Sequence, residues 1–319
     1  MRYALMTEPQ QGLSYDEVLA LAQTAERAGF ESFFRSDHYA SFPGQAGLPT
    51  TDAWTTLAGI ARETTHITLG VLVSPVAFRP PGNLAKVVTT VAEMSGGRVE
   101  VGLGAGWNEE EHLQHGLHYL PTRERFDMLE EQLAILHGLW AEPDGWSYDG
   151  RHWRVHDSLF HPKPAAPVGR RHPNVIVGGA GRPRMAELVA RYADEINISS
   201  ASPSKVAEAY ARVDDACRDI SRDPGEVTRS AMTGVLVGES ESDVRDRGRE
   251  LLQTIGEDGG DADAWLAERR DRWIIGTPDQ AHARAAEFEA AGAQRIMLQT
   301  FLPRDLGMVR LLGRIFPAA

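Results

Sequence analysis

The sequence predicts an α/β protein with the fold of a (β/α)8 TIM barrel, and three observations support this prediction. Apolar, β-branched runs alternate with amphipathic helix-like segments, and eight such units follow one another along the chain. A doubly wound open sheet normally contains fewer strands, so eight units favour closure into a barrel. The length of 319 residues is compatible with one barrel domain.

The first four units occupy the amino-terminal half of the sequence. Each has an apolar run followed by a segment with helical periodicity. The predicted strands are "RYALM", "ESFFRS", "HITLGVLV" and "RVEVGLG". The predicted helices are Ser14–Ala28, Asp52–Glu63, Asn83–Met94 and Arg123–Leu139. Gly29 lies where the first helix ends, a position that favours glycine because the backbone there is often left-handed.

The last four units repeat the same order of strand and helix. The predicted strands are "NVIVGG", "EINIS", "RSAMTGVLV" and "RIMLQT". The predicted helices are Pro183–Tyr192, Ser204–Ile220, Ser240–Thr254 and Asp305–Leu312. Gly292, in "AAGAQR", is a further helix end directly before the last strand.

Two segments fit no unit. Residues 141–173 are rich in Pro, Gly, Trp and His, and residues 256–273 begin "GEDGGDADAW". Proline cannot donate a hydrogen bond to a sheet, so the first segment is expected to cross the surface rather than form a second domain. We therefore expect one domain spanning residues 1–319, with both segments inserted at the carboxyl-end mouth of the barrel.

Composition restricts the function classes. The formal net charge of −12 disfavours binding to nucleic acid or to an anionic membrane. The sequence has no apolar run of about eighteen residues and no signal-peptide pattern at its start. Its single cysteine, Cys217, excludes an internal disulfide and reads as a buried, inert side chain. We expect a cytoplasmic protein that acts on a small molecule.

The first candidate site follows the second strand. Catalytic groups of a TIM barrel lie at the carboxyl ends of its strands, where Asp37 and His38 stand in "SDHY". An imidazole titrates near neutral pH and can transfer a proton to or from a substrate. In the alternative interpretation, Asp37 only caps the loop and His38 has no role. Arg79, after the third strand, meets either an anion or other acidic side chains.

The fourth strand ends in "VGLGAGW", with glycine at alternate positions. This is not the dinucleotide-binding pattern, because Trp107 stands where that pattern needs glycine. Gly102, Gly104 and Gly106 either let a planar ring approach the strand end or allow tight packing inside the barrel.

The fifth strand ends in "VGGAGRPRM", which leads into a helix. Glycine-rich backbone at a helix amino terminus presents unpaired N–H groups, which favours a phosphate. Arg182 and Arg184 would add positive charge, whereas the alternative is a plain turn with Pro183 as the first helical residue. No metal site is predicted, because the histidines of residues 112–118 lack a matching carboxylate or cysteine cluster.

Several segments resemble the bacterial luciferase-like family, and the similarity is strongest to members that use the deazaflavin coenzyme F420. The resemblance covers most of the chain. The segments that carry it are "GFESFFRSDHY", "LGVLVSPVAFRPPGNLAKVVTTVAEMSGGRVEVGLGAGWNEEEH", "RFDMLEEQLAILHGLW", "PNVIVGGAGRPRMAELVARYADEINI" and "GTPDQAHARAAEFEAAGAQRIMLQ".

The resemblance implies that a flavin-type ring binds at the carboxyl-end mouth. Asp37 and His38 would lie near its redox-active edge and are the implied catalytic residues. The family often has a non-proline cis peptide after the third strand, which would correspond to Leu72–Val73. The other implied contacts are Gly104, Ala105, Gly106 and Asn108 along the ring and ribityl chain, and Gly178, Gly179, Ala180 and Gly181 at the phosphate.

Two departures from the family pattern bear on the activity and on the cofactor. Trp107 stands where F420-dependent sugar-phosphate dehydrogenases have a catalytic glutamate, which argues against that activity. Monooxygenases that use flavin mononucleotide (FMN) often hold its phosphate with a His and a Tyr, and this chain has Thr122 and Phe126 there. The absence of this His and Tyr favours F420 over FMN.

We therefore expect an F420-dependent oxidoreductase that transfers a hydride between the coenzyme and a small organic substrate, with His38 as proton donor or acceptor. The alternatives are a monooxygenase that uses reduced FMN and dioxygen, and a non-catalytic flavin-binding barrel. We expect Phe42, Trp54, Trp107 and the two inserted segments to line the substrate pocket. The resemblance also implies a homodimer.

Overall fold

A computed structural model describes residues 1–166, 169–257 and 259–317 of the chain. Its strands are β1 (Arg2–Thr7), β2 (Ser32–Arg35), β3 (Thr68–Pro75), β4 (Val99–Gly104), β5 (Trp146–Asp149), β6 (Arg154–Ser158), β7 (Asn174–Gly179), β8 (Glu195–Ser199), β9 (Thr228–Val237), β10 (Ile274–Gly276) and β11 (Arg295–Thr300).

Eight of these strands form a closed parallel barrel in the order β1-β2-β3-β4-β7-β8-β9-β11, and β11 pairs with β1 to complete it. These are the eight strands that the sequence predicts, so the prediction of a (β/α)8 TIM barrel is confirmed. The short β10 extends the sheet by pairing with the carboxyl end of β9.

The helices surround the barrel. They are α1 (Tyr15–Arg27), α2 (Ala53–Glu63), α3 (Pro81–Ser95), α4 (Glu109–Gln114), α5 (Thr122–Ala141), α6 (Pro183–Tyr192), α7 (Pro203–Asp219), α8 (Glu241–Thr254), α9 (Ala262–Ala267), α10 (Pro278–Ala290) and α11 (Leu306–Ile315). All eight predicted helices are present within a few residues of the expected bounds. No helix in the described ranges has both the length and the apolar character needed to cross a bilayer.

Two apolar layers hold the fold together. The larger layer lies between the strands and the surrounding helices, and it contains buried side chains such as Leu57, Val101 and Leu133. The smaller layer fills the inside of the barrel with Ala4, Met6, Phe34, Leu72, Ile176 and Met297. Several strands that are buried on both faces, such as β3 and β7, contain continuous apolar runs, which is why they could be predicted.

The first inserted segment does not lie where we expected it. It connects α5 to β7, and in an α-to-β connection the chain starts toward the amino ends of the strands. Its antiparallel hairpin, β5 with β6, packs along α5. Glu131 in α5 accepts hydrogen bonds from the backbone N–H groups of Arg151 and Trp153 at 2.8 and 3.0 Å. The described part of residues 141–173 therefore lies along α5 rather than over the mouth.

The second inserted segment lies beside the mouth. Trp273 at its end stacks on Phe301, which follows β11, with ring centroids 5.2 Å apart. The backbone of Gly256 lies against Gly44 in the loop after β2. Residues at the ends of β2 and β11 thus meet this segment on one side of the barrel.

Candidate active site

A cavity of about 1290 Å³ opens at the carboxyl ends of the barrel strands, and all eight strands or the loops after them contribute to its wall. Ten of the twelve predicted site residues line it. They are His38, Leu72, Val73, Gly104, Ala105, Gly106, Asn108, Gly178, Gly179 and Ala180. The two predicted residues outside the lining are Asp37 and Gly181.

His38 is held by a glutamate that sequence reasoning did not identify as its partner. Its Nδ1 lies 2.9 Å from Oε2 of Glu111, in the short helix α4. The other oxygen of Glu111 accepts hydrogen bonds from the backbone N–H groups of Tyr39 and Ala40. Burial opposes the charge, but these hydrogen bonds and His38 hold the pKa of Glu111 below its ordinary value.

The pair fixes how His38 faces the cavity. An ionised carboxylate only accepts, so Nδ1 carries the proton and Nε2 is left for a ligand. Nε2 has no hydrogen-bond partner among the described residues. The imidazole also packs edge-on against Phe42, with centroids 4.4 Å apart, and Trp107 lies beyond it at 6.0 Å.

Asp37 lies away from the cavity and is buried in an ion-pair network. Arg79 donates to both of its oxygens, and the Oγ of Ser74 donates at 3.0 Å. Arg79 also binds Asp52 and donates to Tyr39 Oη at 2.9 Å. Burial opposes the charge on Asp52, but Arg79 and the Thr55 amide lower the pKa of that carboxyl to about 2. Asp37 therefore does not line the cavity, and its ion pair with Arg79 anchors the loop that carries His38.

The alternate glycines of β4 make room for the neighbouring strand. A Cβ at Gly102 would lie 2.3 Å from the carbonyl oxygen of Val71, and one at Gly104 would lie 2.6 Å from Cγ2 of Val73. A Cβ at Gly178 would lie 2.7 Å from the other methyl of Val73. The Leu72–Val73 peptide is cis, as the resemblance implies. Of the two interpretations left open, tight packing explains Gly102 and Gly104, and it seats Val73 between Gly104 and Gly178 on the cavity wall.

Gly106 and the start of α4 form part of the cavity wall. Gly106 has a positive φ of 77°, which favours glycine. The Nδ1 of His112 donates to the carbonyl oxygen of Asn108 at 2.6 Å, so its Nε2 is an acceptor, and this buried atom has no partner among the described residues. The side chain of Asn108 accepts from the amide of Glu111 and thus caps α4.

The turn between β7 and α6 gives the cavity its positive rim. Gly178, Gly179 and Ala180 line the cavity, whereas Gly181 has φ +63° and faces Ala209 of α7. Arg182 lines the rim together with Arg123 at the start of α5. Arg184 also lies there, but its guanidinium binds Asp127 and Glu130.

The wall opposite the glycines contains a carboxylate that sequence reasoning missed. Glu8 follows β1 and accepts from Nε2 of Gln10 at 2.6 Å and from Nε2 of Gln299. Ser36 Oγ donates to Oε1 of Gln10 at 2.7 Å. All four residues line the cavity. The signal that could have found Glu8 is its position directly after a barrel strand.

The expected substrate pocket is only partly as predicted. Phe42 and Trp107 line the cavity, and Trp107 is 64% exposed. Trp54 is fully buried and donates its Nε1 proton to Ser74 Oγ at 2.9 Å, so it supports the loop network instead. Among the described residues of 141–173 and 256–273, none lines the cavity.

Comparison with known proteins defines the class. The family model described as luciferase-like monooxygenase matches residues 1–295, and the chain therefore belongs to this family. A solved structure of an F420-dependent secondary alcohol dehydrogenase, in complex with an F420-acetone adduct, superposes with a TM-score of 0.84. The superposition covers 99% of this chain and 98% of the dehydrogenase chain, at 18% sequence identity. At this identity the similarity concerns the fold alone.

Relatives with both kinds of coenzyme are found. An F420-dependent glucose-6-phosphate dehydrogenase of Intrasporangium calvum is 33% identical over 173 residues, which are 53% of this chain and 48% of that protein. An FMNH2-dependent dimethylsulfone monooxygenase of Pseudomonas putida is 29% identical over 174 residues, 54% of this chain and 46% of that protein. The chain thus spans about half the length of these curated relatives.

Proposed function

We propose that this protein is an oxidoreductase that binds coenzyme F420 in the barrel cavity and transfers a hydride between it and a small organic substrate. The observation that carries the proposal is the His38–Glu111 pair, which stands in a cavity with the glycine-flanked Val73 and a positive rim. Membership in the luciferase-like family and the F420-dependent relative support the same conclusion.

The residues of the cavity fit a planar cofactor with an anionic tail. The backbone of Gly178, Gly179 and Ala180 leads into α6, whose amino terminus attracts an anion. Arg123 and Arg182 add charge, and neither has an ion-pair partner among the described residues.

The protein's own part in the reaction is proton handling and positioning. The bound coenzyme would supply or accept the hydride, which no side chain can do. When an alcohol is oxidised, the hydride leaves carbon and the hydroxyl proton must go to a base. Nε2 of His38 is oriented for this role by Glu111, and in the reverse direction it returns the proton.

The cofactor assignment is tested by titrating the purified protein with F420 and with FMN and following fluorescence. We expect F420 to bind at least about tenfold more tightly, since Thr122 and Phe126 replace the His and Tyr that the resemblance leads us to expect for FMN. Tighter binding of FMN would favour the reduced-flavin monooxygenase instead. Binding of neither would contradict the proposal.

One domain over residues 1–319 and a homodimer stay predictions.

The anion site is tested at Ala180, an exposed residue on the rim. Ala180→Glu places a negative charge where the cofactor phosphate is proposed to bind, and we expect about tenfold weaker F420 binding. Ala180→Gln has the same size without the charge and is the matched control. The deazaflavin that carries only its ribityl chain, without the phosphate, should bind both variants equally. Equal weakening of F420 by Glu and Gln would contradict a phosphate site at this turn.

A further inference from the structure

The charges that line the cavity are separated to opposite sides of the barrel. The arginines lie after β4 and β7, at the starts of α5 and α6: Arg123, Arg125, Arg182 and Arg184. The strands β1 and β11 are the first and last of the eight and stand across the barrel from β4 and β7. Among the described lining residues on that side, Glu8 is the charged group, and no Lys or Arg accompanies it.

Glu8 is held in place without being neutralised. It is 5% exposed, and the amides of Gln10 and Gln299 donate to one carboxylate oxygen each. No Lys or Arg of the described residues lies within ion-pair distance of it. The nearby Arg35 directs its guanidinium to Thr51 and to the carbonyl oxygen of Ser36. Each carboxylate oxygen can accept a further hydrogen bond, so the site lacks a donor.

We infer that Glu8, Gln10 and Gln299 form a recognition site for a hydrogen-bond-donating head group of the substrate, either a hydroxyl or a protonated amine. A buried carboxylate gains most from a partner that donates to it, and an anionic head group would meet repulsion there. That this ligand is the substrate rests on the proposed function.

The cavity has room for this second molecule. Its volume of about 1290 Å³ exceeds the usual size of a pocket for one small ligand, about 300–1,000 Å³. The cofactor residues proposed above lie toward β3, β4 and β7, whereas Glu8 lies on the opposite wall. Met6, Met232 and Phe301 beside it offer an apolar surface for the body of the molecule.

The experiment compares three probes of similar shape, namely benzyl alcohol, benzylamine and toluene. Their dissociation constants are measured by ligand-detected NMR with the coenzyme bound, and again without coenzyme. We expect the wild type to bind the two donors more tightly than toluene. Glu8→Gln should weaken the donors about tenfold and change toluene less than twofold, because hydrogen bonds to a charged acceptor are the stronger ones. Glu208→Gln, on the exposed face of α7, is the control and should change none of them.

Each outcome decides the inference. A loss confined to benzylamine identifies a cationic head group, and a loss for both donors includes hydroxyls. The inference would be overturned if the wild type showed no preference for the donors, or if all three dissociation constants changed equally in Glu8→Gln. The first of these results does not depend on whether the variant folds. Coenzyme affinity is measured separately: its absence in the wild type would reject the proposed function alone, whereas its loss in Glu8→Gln would assign Glu8 to the cofactor instead.

Discussion

At the scale of the residue, His38 depends on Glu111 for its orientation. Glu111 is 1% exposed and bonds both to His38 and to the backbone of the following loop. It therefore fixes the side chain and the main chain together. Asp37 also fixes this loop, through its buried ion pair with Arg79. Two acidic residues therefore hold the segment that carries His38.

Removal of His38 should affect turnover far more than cofactor binding. We expect His38→Ala and His38→Asn to lower the single-turnover rate of a substrate that the wild type converts by about 10²–10⁴, the usual contribution of a general acid or base. The dissociation constant of the cofactor should change less than about threefold. Rates within threefold of the wild type for both variants would show that His38 is a loop residue only.

Glu111→Gln tests the positioning role separately. The amide keeps the shape of the side chain but no longer requires a proton on Nδ1 of His38. We expect a mixture of His38 tautomers, visible in the nitrogen chemical shifts of a ¹⁵N-labelled protein, and a smaller loss of rate than in His38→Ala. Gln114→Glu is the control: it adds a negative charge on the exposed part of α4, whereas Glu111→Gln removes one, and it should leave the His38 tautomer unchanged. An unchanged tautomer in Glu111→Gln would contradict the role.

At the scale of the element, β3 and β4 pack closely because β4 has glycine where it meets β3. The Cβ that Gly104 lacks would overlap a methyl of Val73 at 2.6 Å. Gly104→Ala should therefore destabilise the fold by about 1–3 kcal/mol, the usual cost of overpacking. Val73→Ala removes that methyl, so the double variant should recover much of the loss, as measured by urea unfolding. Gly82→Ala, whose Cβ meets open space, is the control. Strictly additive losses would mean that the overlap is relieved elsewhere.

The elements were more predictable than the contacts between them. The strand β7 was found because burial on both faces leaves the apolar run Val175–Val177, and β8 was found from isoleucines at alternate positions. The hairpin of β5 and β6 was missed because its residues alternate only between half-buried and exposed. The partners of the site were missed because they are distant in sequence: Arg79 is 42 residues from Asp37, and Glu111 is 73 residues from His38. The parallel pairing of β2, β3 and β4 brings the loops after these strands, and hence such pairs, together.

At the scale of the whole molecule, one buried arginine ties the barrel together at the end opposite the cavity. Arg295, at the start of β11, is fully buried and binds Glu31 at 2.5 Å, Glu100 at 2.7 Å and Glu195 at 3.1 Å. These partners lie before β2, in β4 and at the start of β8. The amino end of the barrel is thus filled by charge, in contrast to the open carboxyl end.

Removal of this arginine should destabilise the protein most at neutral pH. Arg295→Met leaves the carboxylates without their cation, and we expect a loss of about 3–5 kcal/mol in the free energy of unfolding. Burial raises the pKa of Glu195 and Glu31 even with Arg295 present, and its removal should raise these values further. A folded state with raised carboxyl pKa values binds more protons than the unfolded state, so its stability falls as pH rises. The deficit relative to the wild type should therefore shrink as pH is lowered toward about 4, in urea titrations compared with the exposed control Arg218→Met. A deficit that stays constant with pH would show that lost packing, rather than unpaired charge, causes it.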